Sequence, residues 1–230
     1  MKFRYVIASL VLALAIQNLD AQIKTYELKK GQAFDILLFN TIPESKETLD
    51  RYFKTAIPVG VEYGYMPQKG FKVTENPLQG NYWPKTVIIG LWSDFRKRED
   101  FVTEISNHVP DFHEMRRAIW SSFFLTYWEV KEDQTILVDS ERFNVLTAYW
   151  EEDPELFKKF IEGWKKEVNQ TEGSILLELT DGHSPMGYYY NPEYLSITSW
   201  ESKESFEAFY EKNLKMNHDG VKHVNQFIIE

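Results

Sequence analysis

The side chains best able to do chemistry in this sequence are its five histidines, since imidazole moves a proton near neutral pH and binds metals; no cysteine accompanies them. His218 is the sharpest candidate. It closes the run "SITSWESKESFEAFYEKNLKMNH", in which a strand pattern, a turn and an amphipathic helix pattern follow one another. The following "NHDG" also reads as a helix C-cap, where a histidine meets the last carbonyls and the negative end of the dipole, so both roles stay open. His108 and His113 flank Pro110 in "NHVPDFHEMRR". Their separation lacks the i, i+4 spacing with which one helix presents two zinc ligands, so a polar helix kink is expected and no metal site. His183 lies in the turn-rich "TDGHSPMG", a segment able to cover a pocket, and His223 reads as a surface residue.

Tyr149, Trp150, Trp164 and Phe209 could line a cavity for a flat apolar ligand, although the same spacings suit a packed core. Arg116 and Arg117 could meet an acidic ligand, or "EMRR" could be an exposed helical face with a Glu–Arg pair. The tyrosine-rich "YYYNPEY" could serve as a lid or an interface. The chain contains no nucleophile elbow, phosphate loop, thiolate zinc pattern or dinucleotide fingerprint. Most familiar enzyme classes are thereby excluded.

The elements that must hold these residues follow a leader. Lys2 and Arg4 precede an apolar run from Tyr5 to Ile16, then polar residues to Ala21, the pattern of a secretory signal over residues 1–21. That run is too short to span a bilayer, which takes about 20 residues. A periplasmic or secreted protein is expected, free of membrane contact once the signal is removed. The absence of cysteine leaves stability to the core, and a formal net charge of −9 argues against nucleic acid as a partner.

Two stretches share one plan. "TVIIGLWSDFRKREDFVTEI" and "YLSITSWESKESFEAFYEKN" each run from an apolar strand through Trp92 or Trp200 and a polar turn into an amphipathic helix. Around them, strands and helices read β-α-β-β-α-β twice, over residues 22–133 and 134–230. In the first half Pro110 should interrupt the second helix, with Met115, Ala118 and Ile119 continuing its stripe. In the second half Asp153 with Pro154, and Ser202, are natural helix openers. The last helix should bury Phe206, Phe209, Tyr210 and Leu214. Strands such as "TVIIGLW" are apolar on both faces, so both should be covered. The expected fold is α+β: two ferredoxin-like β-α-β-β-α-β repeats packed sheet to sheet as an intramolecular barrel, with "KEDQTILVDSER" as a short extended crossover.

On the residues Trp200 to Val224, "WESKESFEAFYEKNLKMNHDGVKHV", the second half resembles the antibiotic-biosynthesis-monooxygenase (ABM) superfamily of dimeric α+β barrels. The first half is similar, through "GNYWPKTVIIGLW", to a related family of small bacterial barrel proteins with no known chemistry. The ABM resemblance implies a pocket between helices and sheet in each half, and cofactor-free oxygen chemistry on an electron-rich substrate. The haem-degrading branch uses an Asn on the first strand, a Trp in the second helix and a His near that helix's end. Here those positions hold Ala148 or Tyr149, Phe209 and Asp219, with His218 one residue away. The resemblance therefore implies a cofactor-free site, with haem as an alternative ligand. Two functions remain: an exported ABM-type pocket protein, up to a cofactor-independent monooxygenase, binding a small apolar or aromatic molecule at His218, Tyr149, Trp150, Trp164 and Phe209; or a non-catalytic barrel whose pockets are filled. Either would exist as a monomeric pseudo-dimer or a weak homo-oligomer.

Overall fold

A computed structural model describes residues 23–230. The expected leader lies outside the described residues. The elements follow in the order β1 (Ile23–Leu28), β2 (Ala33–Thr41), α1 (Lys46–Glu62), β3 (Tyr65–Pro67), β4 (Phe71–Lys72), β5 (Thr86–Trp92), α2 (Phe95–His108), α3 (Phe112–Ile119) and β6 (Trp120–Glu129). They continue with β7 (Gln134–Asp139), β8 (Phe143–Glu151), α4 (Pro154–Gln170), β9 (Ser174–Leu179), β10 (Tyr194–Trp200), α5 (Lys203–Asn213) and β11 (Val221–Ile228).

Two antiparallel sheets carry the plan twice. The first has the order β3-β5-β2-β6, with β4 continuing the β3 edge along β5; the second has the order β11-β8-β10-β9. Written by position within each half, both orders are the same, so each is a ferredoxin-like sheet. The expected barrel within one chain is the fold found. Alternation along the strands explains how both faces are buried. Phe34, Ile36 and Leu38 of β2 share an inter-sheet core with Val87, Ile89 and Leu91 of β5 and with Leu146, Leu195, Ile197 and Phe227 of the second sheet. Ala33, Phe39 and Trp92 turn the other way, under α1, α2 and α3. In the second half Val145, Tyr149, Tyr194 and Trp200 turn to α4 and α5.

The segment between the halves is extended as expected and also pairs: β7 forms an antiparallel ribbon with β1, in register from Ile23 opposite Asp139 to Leu28 opposite Gln134. Its inward residues Tyr26, Leu28, Ile136 and Val138 belong to the inter-sheet core. The helix openers act as anticipated, Asp153 accepting from the Leu156 N–H at 2.9 Å and Ser202 from the Ser205 N–H at 3.3 Å.

Each half also lends a connection to the other. The chain after β4 binds the second half's edge strand: Lys72 and Glu230 exchange backbone hydrogen bonds at 2.8 and 3.0 Å, and Leu78 N donates to Gln226 O at 2.9 Å. In return, the chain between β9 and β10 binds β6: Tyr127 and His183 exchange two bonds at 2.9 Å, and Leu125 N donates to Tyr188 O at 3.2 Å. Glycine permits the close approach on both sides. A Cβ on Gly182 would sit 2.6 Å from Thr126 and Trp128, and one on Gly80, at φ +90°, 2.2 Å from Asn225.

Two expectations about the helices are corrected. Helix α5 stops at Asn213, whose side chain is buried, so Leu214 lies 54% exposed rather than on the packed face. On α3 the buried positions are Phe112, Met115, Arg116 and Ile119, whereas Ala118 is exposed.

Candidate functional site

Pro110 separates the two helices between which a candidate site lies. Its ring lacks an N–H and cannot continue a helix, so α2 ends at His108 and the chain restarts as α3 at Phe112. Between these two helices, β6 and the connection from the second half lies a cavity of ≈ 150 Å³. Helix α2 contributes Arg98, Phe101, Val102 and Ile105, and α3 contributes Phe112, His113 and Arg116. Leu125 of β6 forms one side, and Pro185, Met186 and Tyr188 close the mouth.

Its charged residues are buried. Arg98, 2% exposed, donates through Nε to both Asp35 oxygens at 2.8 and 3.0 Å, and its guanidinium lies over the Tyr127 ring at 4.4 Å. Its Nη1 is buried without a hydrogen-bond partner. Burial raises the Asp35 pKa, while Arg98 pulls the other way. Arg116 is 9% exposed and lies over the rings of Phe112 at 4.2 Å, Phe123 at 4.6 Å and Tyr188 at 5.1 Å. Its Nε and Nη2 both donate to the Tyr52 oxygen, at 3.1 and 3.0 Å. No carboxylate among the described residues forms a salt bridge with it. Burial alone would lower its pKa, but the oxygens of Tyr52 and Tyr188 more than offset this, so the guanidinium stays charged.

Beside Arg116, His113 Nδ1 and Tyr188 Oη are 2.6 Å apart, and the two rings stack at 5.8 Å. Burial, then the charges of Arg116 and Arg117, hold the His113 pKa below its usual value. The imidazole is therefore neutral at pH 7 and able to accept a proton.

The residues singled out in the second half are placed differently. Tyr149, Trp164 and Phe209 are wholly buried, and the Trp164 ring lies 5.9–6.0 Å from each of the other two. Trp150, one residue on in the strand, points to the opposite face and packs on Tyr190 at 4.9 Å. The four line no common cavity among the described residues. His218 lies beyond the end of α5, in the turn leading to β11, where its carbonyl accepts from Val221 N at 2.9 Å and its ring contacts Phe160 at 5.1 Å. "NHDG" thus serves the turn before β11, with Gly220 at φ +88°, rather than capping the helix. With His218 packed on Phe160 and the helix layer filled, the residues here do not fit a haem.

The second half also has an acidic cleft of ≈ 360 Å³ lined by Glu151, Asp181 and Glu193, with His218 not among its lining residues. Among the described residues no group of three or more His, Asp or Glu could hold a metal ion. His108 is exposed, and His183 packs against Phe95 and Tyr127.

Sequence reasoning left Arg98 and Asp35 out of the candidate site and left Arg116 open between two roles. The signal was positional: Arg98 shares a helical stripe with Phe101 and Ile105, Arg116 with Phe112, Met115 and Ile119, and Asp35 interrupts an apolar strand.

No protein-family model matches the chain, and no curated protein does. Among solved structures, the chain is similar to an anthrone oxidase-like protein, at TM-score 0.53 and 16% identity over 90% of this chain and 94% of that one. It also aligns with chlorite dismutase from Candidatus Nitrospira defluvii, at TM-score 0.47 and 7% identity over 88% and 92% of the two chains. The first likeness is one of fold: two ferredoxin-like sheets packed as an α+β barrel within a single chain. Among the described residues no helix is long and apolar enough to cross a membrane.

Proposed function

We propose that the chain is an exported small-molecule pocket protein of ABM type that works as a cofactor-independent monooxygenase, with its site in the first half. The observation that carries this reading is His113, held by Tyr188 Oη at 2.6 Å on the wall of a cavity that apolar side chains share with Arg98 and Arg116, its pKa lowered first by burial. In the tautomer whose Nδ1 donates to the phenolic oxygen, Nε2 carries the lone pair that acts as the base. A substrate C–H made acidic by an adjacent ring or carbonyl loses its proton to His113, leaving a delocalised anion. Oxygen accepts electrons from that anion, forming a C–O bond to a peroxide. Loss of water then gives the carbonyl, so that a CH₂ group plus O₂ becomes C=O plus H₂O with no external reductant. The similar structure described as anthrone oxidase-like supports oxidative chemistry on an aromatic compound.

The alternative of an inert barrel suits the second half, whose helix layer is closed by its own side chains. There Leu78, lent by the first half, packs against the aromatic core, and its carbonyl accepts from Tyr210 Oη at 2.7 Å.

Oxygen uptake by the purified chain with a panel of single-ring compounds whose CH₂ group is activated by a ring or a carbonyl, phenylacetate and phenylacetone among them, tests the reading. Uptake above the buffer rate is expected, lost in His113→Phe and kept in His218→Ala. Uptake that survives His113→Phe, or none with any compound, overturns it.

A further inference from the structure

The cavity that holds His113 is electrostatically unbalanced. Of its lining residues, Arg98 and Arg116 are cations and none is acidic. Asp35 neutralises Arg98 from behind, which leaves the charge of Arg116 without an acidic counterpart in contact. A buried cation is costly unless an anion or several acceptors compensate it. Here two of the five N–H donors of the Arg116 fork end on the Tyr52 oxygen and Tyr188 supplies a further acceptor, so its acceptors are phenolic oxygens and no carboxylate. The neighbouring Arg98 Nη1, buried and 2% exposed as a residue, has no acceptor. Both groups line one space, and paired N–H donors are the geometry that carboxylates accept.

The size of that space limits what can accompany the charge. An engineered cavity of about 150 Å³ holds one benzene ring, and this one measures ≈ 150 Å³. Phe101, Ile105 and Leu125 provide an apolar surface for the ring, and Met186, 85% exposed, stands at the entrance.

We infer that the ligand of this cavity is a single-ring aromatic monoanion, a carboxylate on one ring, whose oxygens are held by Arg116 and Arg98. The inference rests on this cavity being the ligand site, as proposed above, and specifies its substrate class.

Calorimetric titration with benzoate and with its neutral counterpart benzamide tests it. Benzoate should bind one per chain, on the order of tenfold or more tighter than benzamide, the range expected when charged groups form the hydrogen bonds. Arg116→Met should remove the preference. Met186→Trp, on the exposed rim, should weaken benzoate without touching the core, and it decides the matter if Arg116→Met does not fold. No saturable benzoate binding, equal affinity for benzamide, or binding indifferent to Met186→Trp overturns the inference. Oxygen uptake measured on the same samples separates the two readings: selective benzoate binding without uptake from any compound sinks the monooxygenase and leaves the anion site standing.

Discussion

Removing Asp35 tests the electrostatic frame of the site most directly. The carboxylate and Arg98 are 4% and 2% exposed at the side chain and 2.8 Å apart, and Arg98 Nη1 already lacks a partner. In Asp35→Ala the Arg98 guanidinium stays buried with no anion against it, which costs about 3–5 kcal/mol. In a chain of this size 1 kcal/mol moves Tm by about 2–4 °C, so a fall of roughly 6–20 °C is expected by calorimetry, with a matching change in urea midpoint. The double variant Asp35→Leu/Arg98→Met removes both charges and should recover most of that loss, since apolar replacements of buried pairs are often neutral. The surface pair Lys29–Asp133, with side chains 61% and 62% exposed, provides the control: Asp133→Ala should cost at most about 1 kcal/mol. If Asp35→Ala costs no more than Asp133→Ala, the pair is not held in a low-dielectric interior and the charge argument for the cavity fails.

Further outcomes follow from the same geometry. Because His113 titrates below 6.5, through burial and then the nearby arginines, the unfolded chain binds its proton first as pH falls. Its contribution to stability is complete above pH 6.5 and is lost as pH drops through the folded value. Oxygen uptake should fall over the same acid limb, and His113→Phe should flatten the stability limb in urea titrations at several pH values. Gly182→Ala places a Cβ 2.6 Å from Thr126 and Trp128. It should destabilise by about 1–3 kcal/mol and speed benzoate release in stopped-flow traces, and an unchanged release rate would detach the connection from the cavity. Trp164→Phe, deep in the second-half core, should lower the urea midpoint and leave benzoate affinity unaltered. A large loss of affinity there would return the site to the second half.

How much of this was legible in the sequence varied with what decides each element. Strand β10 was readable to its ends, since "YLSITSW" is a run of aromatic, aliphatic and small hydroxyl residues bounded by polar turns. The interruption at Pro110 was readable from the ring chemistry of one residue. The end of α5 was not. The sequence keeps helical spacing to Leu214, but the buried stripe runs Phe206, Phe209, Asn213, its last place taken by a polar residue, and Leu214 falls outside it. The aromatic quartet stayed open between cavity wall and packed core for a related reason: side chains at Trp150 and Tyr149 alternate faces, and burial of three of the four inside one layer depends on how α4 and α5 lie across the sheet. The cavity was least legible, because it is formed by residues from α2, α3 and β6 together with a connection lent by the other half. Only the charges set within apolar stripes, at Asp35, Arg98 and Arg116, carried a local trace of it.

The exchange of connections gives the halves different freedoms. In a symmetric homodimer every change to the segment closing one pocket is repeated at the other, so neither pocket can be altered alone. Here the stretch that closes the first-half cavity, from Pro185 to Tyr188, and the stretch at Leu78 that fills the second are separate pieces of one chain. Each can vary without disturbing the other. A single polypeptide can therefore keep one chamber open and spend the other as foundation, and changes in ligand choice should concentrate in the second-half loop that closes the first-half chamber.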